Sequence, residues 1–324
     1  MNAKIIGMGH HAPQKVYTNT DMEKFVETND EWIVQRTGIK QRHIAADDEF
    51  TTDLATKAAQ KALENAGIGA EELDLIILAT VTPDYFTPSC SCVVQKNINA
   101  KNAAAFDINA ACSGFVTGTV IAKQFIETGL YKRVMVIGAD ALSKATDYTD
   151  RSTCILFGDA AGAVIYGASE ENGVMSIDIG ANGADGDKLT SLAYRYDEEE
   201  INMRLSKNPN HIRMAGSEVM KFAVRATTKA AQRVCKEKGF IINDVDVIIP
   251  HQANIRIIES AAKLLKVDMN KIFTNLEFYG NTSSASVPVA MCEAVEQGVL
   301  KRGDKFIIVG FGGGLTWGAA LIEY

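Results

Sequence analysis

The fold is decided by a stretch that changes from strand to helix at a cysteine, Phe106-Asp-Ile-Asn-Ala-Ala-Cys-Ser-Gly-Phe115. Residues 102–108 are small, apolar and β-permissive, which predicts a buried strand, and apolar side chains at helical spacing across residues 114–129 predict a helix. A cysteine at the start of a helix lies beside unpaired N–H groups and the positive end of the helix dipole, which favours the nucleophilic thiolate. Cys112 is therefore a candidate nucleophile. The alternative is a small buried cysteine that only fills space.

The composition is typical of a globular protein and argues against several other classes. The chain has 324 residues, of which 47% are hydrophobic and 23% charged. It contains neither a signal peptide nor an apolar run of about 18–20 residues, so we expect a cytoplasmic protein that does not cross a membrane. The six cysteines are expected to be reduced. Cys90 and Cys92 lie too close together for the usual zinc spacing, so no metal is expected, and the net charge of −7 argues against nucleic-acid binding.

The second half of the sequence repeats the first half at a constant offset of 172 residues. The matching segments are residues 57–67 with 229–239, 74–77 with 246–249, and 136–138 with 308–310. One helix and two strands at a single offset indicate two α/β halves, residues 1–172 and 173–324, derived from one ancestral unit. Alternating strands and helices predict a mainly parallel sheet in each half, covered by helices. Residues 181–213 match the repeat least, and we interpret them as a solvated insertion rather than an acidic binding site.

The second half carries two further loops whose residues are suited to catalysis. The predicted strand at residues 245–250 ends at His251, at the edge of a sheet where ligand sites of α/β proteins occur. Asn281 lies in the loop that the repeat equates with the loop of Cys112, so a two-fold-like arrangement would bring both loops together. A lone histidine is more often structural, but convergence with Cys112 and Asn281 favours a catalytic role.

The glycine-rich stretch at residues 310–318 could pass for a phosphate-binding loop. It lacks the Gly-Lys-Ser/Thr ending, however, and an apolar segment follows where a helix should begin. A glycine run at the end of a strand can instead present a backbone N–H to a developing oxyanion.

Motifs in all parts of the chain occur together in the order of one known family. They are Asp30-Glu-Trp-Ile-Val-Gln-Arg-Thr-Gly-Ile39, Ala111-Cys-Ser-Gly-Phe115, Asp150-Arg-Ser-Thr153, Phe157-Gly-Asp-Ala-Ala-Gly162, His251-Gln-Ala-Asn254, Gly280-Asn-Thr-Ser-Ser284 and Phe311-Gly-Gly-Gly-Leu-Thr-Trp-Gly318. Together they resemble β-ketoacyl-acyl-carrier-protein synthase III, a condensing enzyme of the thiolase superfamily. The resemblance implies an α/β fold of the thiolase type, a layered αβαβα sandwich built from two similar halves. It also implies a homodimer.

The reaction that the resemblance implies initiates fatty-acid synthesis. An acyl-CoA primer, either acetyl-CoA or a longer or branched one, condenses with malonyl-ACP, the thioester of the acyl carrier protein, and CoA and CO₂ leave. Cys112 would carry the acyl group as a thioester, and His251 and Asn281 would hydrogen-bond the malonyl thioester carbonyl during decarboxylation. The backbone N–H groups of Cys112 and Gly313 would form the oxyanion hole. Because decarboxylation creates the carbanion, the chemistry needs donors to an enolate oxygen rather than a strong base, and no cofactor beyond the CoA thioester substrate is implied.

The resemblance also implies contacts to CoA. Trp32 and Arg151 would stack on the adenine, and Arg36 would pair with a phosphate. The remaining implied contacts, to the pantetheine arm or the nucleotide, are Thr28, Gly216 and Asn254. A core or dimer role is the alternative for Trp32. Ser217 stands where many relatives carry asparagine, so no contact is assigned to it.

Three basic residues match positions at which the family docks its acidic carrier protein, namely Lys221, Arg256 and Lys263. Arg256 and Lys263 lie seven residues apart and therefore share a helix face. Glu259 on the same helix weakens the patch, and a solvated helix face is the alternative.

The resemblance implies that Thr87 and Phe157 line the acyl pocket. Relatives with short primers often carry phenylalanine at the position of Thr87, so the smaller side chain predicts room for longer or branched primers. The alignment depends on Pro88, and a shift by one residue would make Phe86 the gate instead.

Four other classes of protein are rivals to this interpretation. A degradative thiolase would use a second cysteine in a loop, whereas Cys235 and Cys292 fall in predicted helices. Elongating synthases use two histidines, and the second position here is Asn281. A catalytically dead scaffold is disfavoured because every expected catalytic position is filled. A synthase III relative of secondary metabolism, making a polyketide starter, a quinolone or an alkene precursor, remains open.

Overall fold

Two larger β-sheets and the helices around them make up the computed structural model, which describes residues 1–193 and 211–324. The strands are β1 (Asn2–His11), β2 (Val16–Thr18), β3 (Gln41–His43), β4 (Leu75–Ala79), β5 (Ala104–Ile108), β6 (Arg133–Ala141), β7 (Asp159–Ser169), β8 (Val174–Ala181), β9 (Leu189–Thr190), β10 (Arg213–Met214), β11 (Val247–Pro250), β12 (Lys305–Gly312) and β13 (Thr316–Glu323). The helices are α1 (Asn19–Met22), α2 (Asp30–Thr37), α3 (Thr51–Ala66), α4 (Cys90–Asn97), α5 (Gly114–Glu127), α6 (Arg151–Cys154), α7 (Gly216–Glu237), α8 (Ile255–Leu265), α9 (Leu276–Tyr279) and α10 (Ser286–Glu296).

The two sheets have the same strand order. The first runs β1-β7-β6-β4-β5 and the second runs β8-β13-β12-β11. The offset of 172 residues takes the starts of β1, β4 and β6 onto the starts of β8, β11 and β12. Only β5 has no full counterpart, and a single bridge between Ile248 and Ile272 stands in its place. The boundary expected at residues 172/173 falls between β7 and β8.

The prediction of a mainly parallel sheet in each half is wrong. In the first sheet β4 pairs in parallel with β5 and β6, but β7 pairs antiparallel with both β6 and β1. In the second sheet only β11 and β12 are parallel. Antiparallel neighbours can be joined by a short turn whereas parallel neighbours need a crossover, but only β12 and β13 are joined in that way here, and the other antiparallel pairs join strands separated by longer stretches, whose direction the local pattern does not encode. The glycine-rich stretch between β12 and β13 is such a turn.

The layers follow from the alternation of side chains along the strands. Leu75 and Ile77 of β4 join a cluster with both sheets, α5 and α10, whereas Ile76 and Leu78 join another cluster with α3 and α4. In β12, likewise, Ile308 faces the central cluster and Ile307 faces α7 and α8. Strands covered on both faces have continuous apolar sequences, as observed here. The order is therefore helices, sheet, helices, sheet, helices, and the predicted αβαβα sandwich is confirmed.

Strand β5 differs from its prediction in one respect. It was expected to be buried, but Ala104 is exposed and the rest of the strand is only half-buried. The cause is its position, since β5 lies at the edge of the first sheet and pairs only with β4.

The two halves meet at a close contact that is made twice. A Cβ atom added to Gly138 of β6 would lie less than 3.0 Å from the carbonyl oxygen of Ser284, and one added to Gly310 of β12 would lie 3.3 Å from that of Cys112. The offset of 172 takes Gly138 onto Gly310 and Cys112 onto Ser284. In each half, therefore, a strand packs through a glycine against the loop of the other half that carries Cys112 or Ser284. This packing brings the two loops together.

Substitution of Gly138 by alanine tests this contact. We expect Gly138→Ala to lower the free energy of unfolding by about 1–3 kcal/mol, because the backbone at Ser284 must move to admit the methyl group. Gly310→Ala is the matched control at the equivalent position, where the space is larger, and it should cost less. Urea unfolding of the two variants measures the difference. Equal losses would mean that the contact at Gly138 does not constrain the packing of the halves.

No helix within residues 1–193 and 211–324 is long and apolar enough to cross a membrane. The expected insertion at residues 181–213 extends over residues 194–210, which lie outside the described residues. Its described flanks form β9 and β10, which pair with each other.

Candidate active site

A cavity of about 360 Å³ lies at the junction of the two halves, where the loops of Cys112 and Asn281 meet the end of β11. Its lining includes Cys112, His251 and Asn281, so the structure brings together the three residues that the sequence marked as a catalytic set. Much of its lining is apolar and includes Leu142, Leu156 and Phe157. The cavity can therefore hold an apolar chain next to a nucleophile.

Cys112 lies in a short 3₁₀ turn, Ala111–Ser113, directly before α5. A Cβ atom at Gly312 would lie 2.5 Å from the backbone nitrogen of Cys112, so the glycine turn can approach this nitrogen only because it lacks a side chain. The hydroxyl of Ser113 contacts that of Thr316 at 2.9 Å and ties the cysteine turn to the same hairpin. The cysteine is thus held against the glycine-rich turn.

The surroundings of Cys112 oppose the thiolate that the start of a helix favours. Burial is the main cause that raises the pKa of the Cys112 thiol to about 12; the hydroxyl of Ser283 lowers this pKa, and the carboxylate of Asp140 raises it. At this pKa the resting group at neutral pH is the thiol.

His251 follows β11 and is buried, with 2% of its surface exposed. Its Nδ1 lies 2.6 Å from the hydroxyl oxygen of Ser286, and its ring packs edge-on against Phe311 at 5.0 Å between ring centroids. Burial lowers the pKa of His251 to about 3. The imidazole is therefore neutral at physiological pH and carries one N–H group that can donate.

Asn281 is held at its backbone and at its side-chain oxygen. Its N–H donates to the carbonyl of Leu156 at 2.8 Å, and its carbonyl accepts from the N–H of Gly158 at 3.0 Å. The N–H of Ser283 lies 2.9 Å from the side chain, and because an N–H can only donate, this side-chain atom is the amide oxygen. The amide N–H₂ is thus the end of the side chain that is left to bind a ligand.

A buried carboxylate beneath the site joins the two halves. Asp140, fully buried at the end of β6, accepts hydrogen bonds from Thr80 at 2.9 Å and from the N–H of Val81 at 2.8 Å. It also contacts the N–H and the hydroxyl of Ser284 at 3.1 and 2.7 Å. Burial raises the pKa of Asp140, and these donors oppose the rise. This residue was not among the predicted site residues, although an aspartate in the otherwise apolar end of β6 is a usable signal.

The predicted adenine-binding residues lie together at the mouth of the cavity. Asn29 caps α2 by accepting the N–H of Trp32 at 2.8 Å, and Gly38 ends the helix in the left-handed conformation. The guanidinium carbons of Arg36 and Arg151 lie 5.3 and 4.9 Å from the ring of Trp32. Trp32 and Arg36 line the cavity, whereas Arg151 lies beside it. The group offers an aromatic face and two positive charges.

The other predicted CoA contacts differ from one another. Gly216 and Asn254 line the cavity. Asn254 also has a structural role, because it caps α8 by accepting the N–H of Arg256 at 2.9 Å and donates to the carbonyl of Arg36 at 3.1 Å. Thr28 does not line the cavity, but its hydroxyl oxygen is buried and has no hydrogen-bond partner within residues 1–193 and 211–324.

The residues predicted for the acyl pocket and the oxyanion hole differ in whether they line the cavity. Phe157 is buried and lines the cavity, as does Gly313. Thr87 is exposed and does not line this cavity, so its place in the acyl pocket stays a prediction. Of the predicted docking residues, Arg256 is exposed at the cavity mouth, and Lys221 and Lys263 are exposed outside it.

Several lining residues were not predicted. They come from the flanks of the expected insertion and from the start of α7, namely Leu189, Thr190, Ile212, Met214, Ser217 and Met220. The described flanks are therefore not merely solvated, because their apolar side chains close one wall of the cavity. Their sequence alone carried no periodicity that would have indicated this.

Within residues 1–193 and 211–324 no cluster of three or more histidine, cysteine or acidic side chains could hold a metal ion.

The fold is layered, and one cavity at the junction of its halves holds a cysteine, a neutral histidine and an asparagine. These features define a condensing enzyme of the thiolase type, which is an acyltransferase.

The family follows from comparison with known proteins. Residues 106–183 match the family model described as 3-oxoacyl-[acyl-carrier-protein] synthase III, and residues 235–324 match the model of its C-terminal part. The chain is 49% identical to the β-ketoacyl-[acyl-carrier-protein] synthase III of Clostridioides difficile strain 630, over 100% of this chain and 99% of that protein. This chain belongs to the β-ketoacyl-[acyl-carrier-protein] synthase III family.

Solved structures agree with this assignment. The crystal structure of 3-oxoacyl-[acyl-carrier-protein] synthase III from Aquifex aeolicus VF5 matches with a TM-score of 0.93 and 46% identity, over 99% of this chain and 100% of that one. The priming β-ketosynthase of the R1128 polyketide biosynthetic pathway matches with a TM-score of 0.92 and 32% identity, over 99% and 96%.

The buried neutral His251 makes stability depend on pH. An unfolded histidine takes up a proton as the pH falls below about 6.5, whereas folded His251 does so only near pH 3. The unfolded state therefore gains protons first, and we expect the free energy of unfolding to fall by about 2 kcal/mol between pH 6.5 and pH 5 because of this residue. Urea unfolding at the two pH values measures the loss, and His251→Asn should remove this part of it.

His11 provides the control for this measurement. Burial and the nearby Lys57 lower the pKa of His11 to about 4, so His11 adds a loss of the same sign, which His11→Asn should remove independently. An identical pH dependence in wild type and His251→Asn would contradict the neutral, buried state of His251.

Proposed function

We propose that the chain catalyses the first condensation of fatty-acid synthesis through Cys112, His251 and Asn281. An acyl-CoA primer and malonyl-ACP give β-ketoacyl-ACP, CoA and CO₂, with no cofactor beyond the CoA thioester, in the cytoplasm. The observation that carries this proposal is the convergence of the three side chains in one cavity with a largely apolar lining. Full-length relatives that bear the name β-ketoacyl-[acyl-carrier-protein] synthase III support it.

In the first step Cys112 takes the acyl group from CoA. Its sulfur forms a bond to the thioester carbonyl carbon, the bond from that carbon to the sulfur of CoA breaks, and the thiol proton ends on the released CoA. Because the resting cysteine is a thiol, it loses the proton as the tetrahedral intermediate forms. The negative oxygen of this intermediate needs N–H donors, for which the backbones of Cys112 and Gly313 are the candidates. The tight approach of Gly312 to the nitrogen of Cys112 supports this pairing.

In the second step His251 and Asn281 stabilise an enolate. The bond between the malonyl methylene carbon and its carboxylate breaks, CO₂ leaves, and the electron pair moves onto the thioester, whose oxygen becomes negative. Donation by the neutral imidazole and by the amide N–H₂ stabilises this oxygen, and burial strengthens both hydrogen bonds. The carbanion then forms a bond to the carbonyl carbon of the acyl group on Cys112, the bond from that carbon to the cysteine sulfur breaks, and the sulfur takes up a proton from solvent, because the original thiol proton left with CoA.

The nucleotide of CoA is proposed to bind at the cavity mouth. An adenine ring would lie against Trp32 and the guanidinium of Arg151, and Arg36 would pair with a phosphate. The buried hydroxyl of Thr28, which has no partner within residues 1–193 and 211–324, is suited to a polar atom of the nucleotide. Gly216 and Asn254 would then flank the pantetheine arm, which leads inward to Cys112.

The protein is further proposed to act as a homodimer. The outer edge of β5 is half-exposed, and Phe86 is 72% exposed in the loop before α4. A second copy of this chain would cover both features. Because Thr87 lies outside the cavity of its own chain, it could act as a gate only for the cavity of the other copy. Its small side chain would then leave room for acyl groups longer than acetyl.

Intact-protein mass spectrometry tests the two chemical steps separately. Incubation with an acyl-CoA is expected to add one acyl mass to the wild type, and malonyl-ACP should remove it as β-ketoacyl-ACP forms. Cys112→Ser should acquire no acyl mass, whereas Asn281→Ala should be acylated but lose the acyl group about 10²- to 10³-fold more slowly, because a donor to the enolate is missing. Cys92→Ser, which removes an exposed cysteine outside the cavity, is the matched control and should behave as the wild type.

The same experiment has two further outcomes. No adduct on the wild type would contradict the enzymatic proposal. An adduct that persists with malonyl-ACP but reacts with another acceptor would move the chain to secondary metabolism, an alternative supported by its similarity to the polyketide priming synthase. Donors with four to eight carbons should acylate Cys112 at least as fast as acetyl-CoA, and acylation by acetyl-CoA alone would contradict the proposal for Thr87.

The carrier protein is proposed to dock on the exposed basic residues Lys221, Arg256 and Lys263. Arg256→Glu should raise the KM for malonyl-ACP about tenfold at low salt, since a charge at the rim of an interface mainly affects the association rate. Steady-state kinetics at several salt concentrations measure this effect, which should shrink as salt rises. Lys301→Glu, at an exposed site outside the cavity, is the control. Equal KM values in the two variants would exclude this docking face.

A further inference from the structure

The Nδ1 nitrogen of His251 contacts Ser286, which has no role in the chemistry described above. Ser286 is the first residue of α10, is 2% exposed, and its hydroxyl oxygen lies 2.6 Å from Nδ1 of His251. The ring is confined on another side by Phe311, against which it packs edge-on. The imidazole therefore has a polar neighbour at Nδ1, the hydroxyl of Ser286, and an apolar neighbour, the ring of Phe311.

The hydrogen bonds around Ser286 determine the direction of its contact with the ring. The backbone N–H of Gln252 lies 3.4 Å from the hydroxyl oxygen and can only donate to it. Within the part of the chain that the structure describes, Nδ1 of His251 is the one remaining atom that this hydroxyl contacts, so the hydroxyl proton points to Nδ1. A neutral imidazole that accepts at Nδ1 carries its proton on Nε2.

Hydrogen bonds also fix Gln252, whose backbone N–H meets Ser286. The side chain of Gln252 donates to the carbonyls of Pro250 and Phe273 at 2.7 and 3.2 Å and accepts the N–H of Asn275 at 3.1 Å. The backbone N–H that meets Ser286 therefore belongs to a fixed segment. The other tautomer would require the hydroxyl to find a different acceptor, and the described residues around it offer none.

We propose that Ser286 is a positioning residue that holds His251 as the Nε2–H tautomer, so that the ring donates a hydrogen bond to the enolate oxygen during decarboxylation. This inference rests on the proposed function of His251. In the opposite tautomer Nε2 would present a lone pair to a negative oxygen, and the hydrogen bond would be replaced by repulsion. Transfer of the acyl group from CoA to Cys112 does not use this donor and should not depend on Ser286.

Nuclear magnetic resonance and kinetics of Ser286→Ala test the proposal. With nitrogen-15-labelled histidine, the side-chain signals of His251, assigned with His251→Asn, should report the Nε2–H tautomer in the wild type and a mixture of tautomers in Ser286→Ala. The turnover rate of condensation should fall about 10- to 100-fold, as for misplacement of a reacting group, with little change in the KM for malonyl-ACP or in the rate of acylation. Ser286→Thr keeps the hydroxyl and should restore both the tautomer and the rate.

A buried serine elsewhere provides the matched control. Ser176 is 1% exposed and donates to the carbonyl of Val234 at 2.6 Å, outside the cavity, so Ser176→Ala removes a similar hydrogen bond and should leave condensation unchanged.

Each outcome decides the proposal. The Nδ1–H tautomer in the wild type would overturn it even if Ser286→Ala does not fold, and so would a normal turnover rate in a folded Ser286→Ala. Equal losses of acylation and condensation would indicate a merely structural role and would also overturn it. A wild type that shows the Nε2–H tautomer but does not decarboxylate malonyl-ACP would instead contradict the proposed function.

Discussion

The geometry of the site depends on the buried carboxylate of Asp140. A buried carboxyl group is costly to remove from water unless hydrogen bonds satisfy its oxygens. Here the donors come from both halves, since Thr80 and Val81 belong to the first half and Ser284 to the second. A shift of the second loop would leave a buried oxygen of Asp140 without its donors. The cost of an unpaired buried polar group therefore holds the loop of Asn281 in place against the loop of Cys112, and the close contact of Gly138 with Ser284 restricts the loop further.

The repeat explains how two similar loops acquired different tasks. The offset of 172 equates Asn109 with Asn281, and in both the side-chain oxygen accepts the N–H two residues later, at 3.3 and 2.9 Å. The residues that follow the turn, Ala111 and Ser283, both adopt the left-handed conformation. The asparagine is thus an ordinary turn residue in the ancestral loop, and its fixed oxygen frees its N–H₂ to bind a ligand. The proposed enolate donor uses an orientation that the turn already required.

The features of the fold and the site that could be predicted are those that a local sequence pattern or the internal repeat encodes. The strand-to-helix turn at Cys112, the end of a strand before His251 and the equivalence of the two loops all follow from residues close in sequence or at a fixed offset. The antiparallel partners of β7 and β13 could not be predicted in this way, because pairing depends on distant strands. The same limit applies to Asp140 and Ser286, whose partners lie 144 and 35 residues away. The position of Thr87 outside its own cavity depends on the course of a surface loop, which has no periodicity.

Burial also determines the charge state of Cys112 and explains why the site is suited to its proposed chemistry. The same exclusion of water that raises the pKa of Cys112 to about 12 lowers that of His251 to about 3, so both groups are uncharged before substrate binds. The acyl group of the primer is uncharged too, and an apolar cavity accepts it without the loss of ionic hydration, whereas the malonyl group brings a carboxylate that leaves as CO₂. In the proposed reaction decarboxylation moves this negative charge onto the enolate oxygen, and acyl transfer places a negative charge on the tetrahedral oxygen. Because the donors are already oriented when that charge appears, they stabilise it without the reorganisation that water would require.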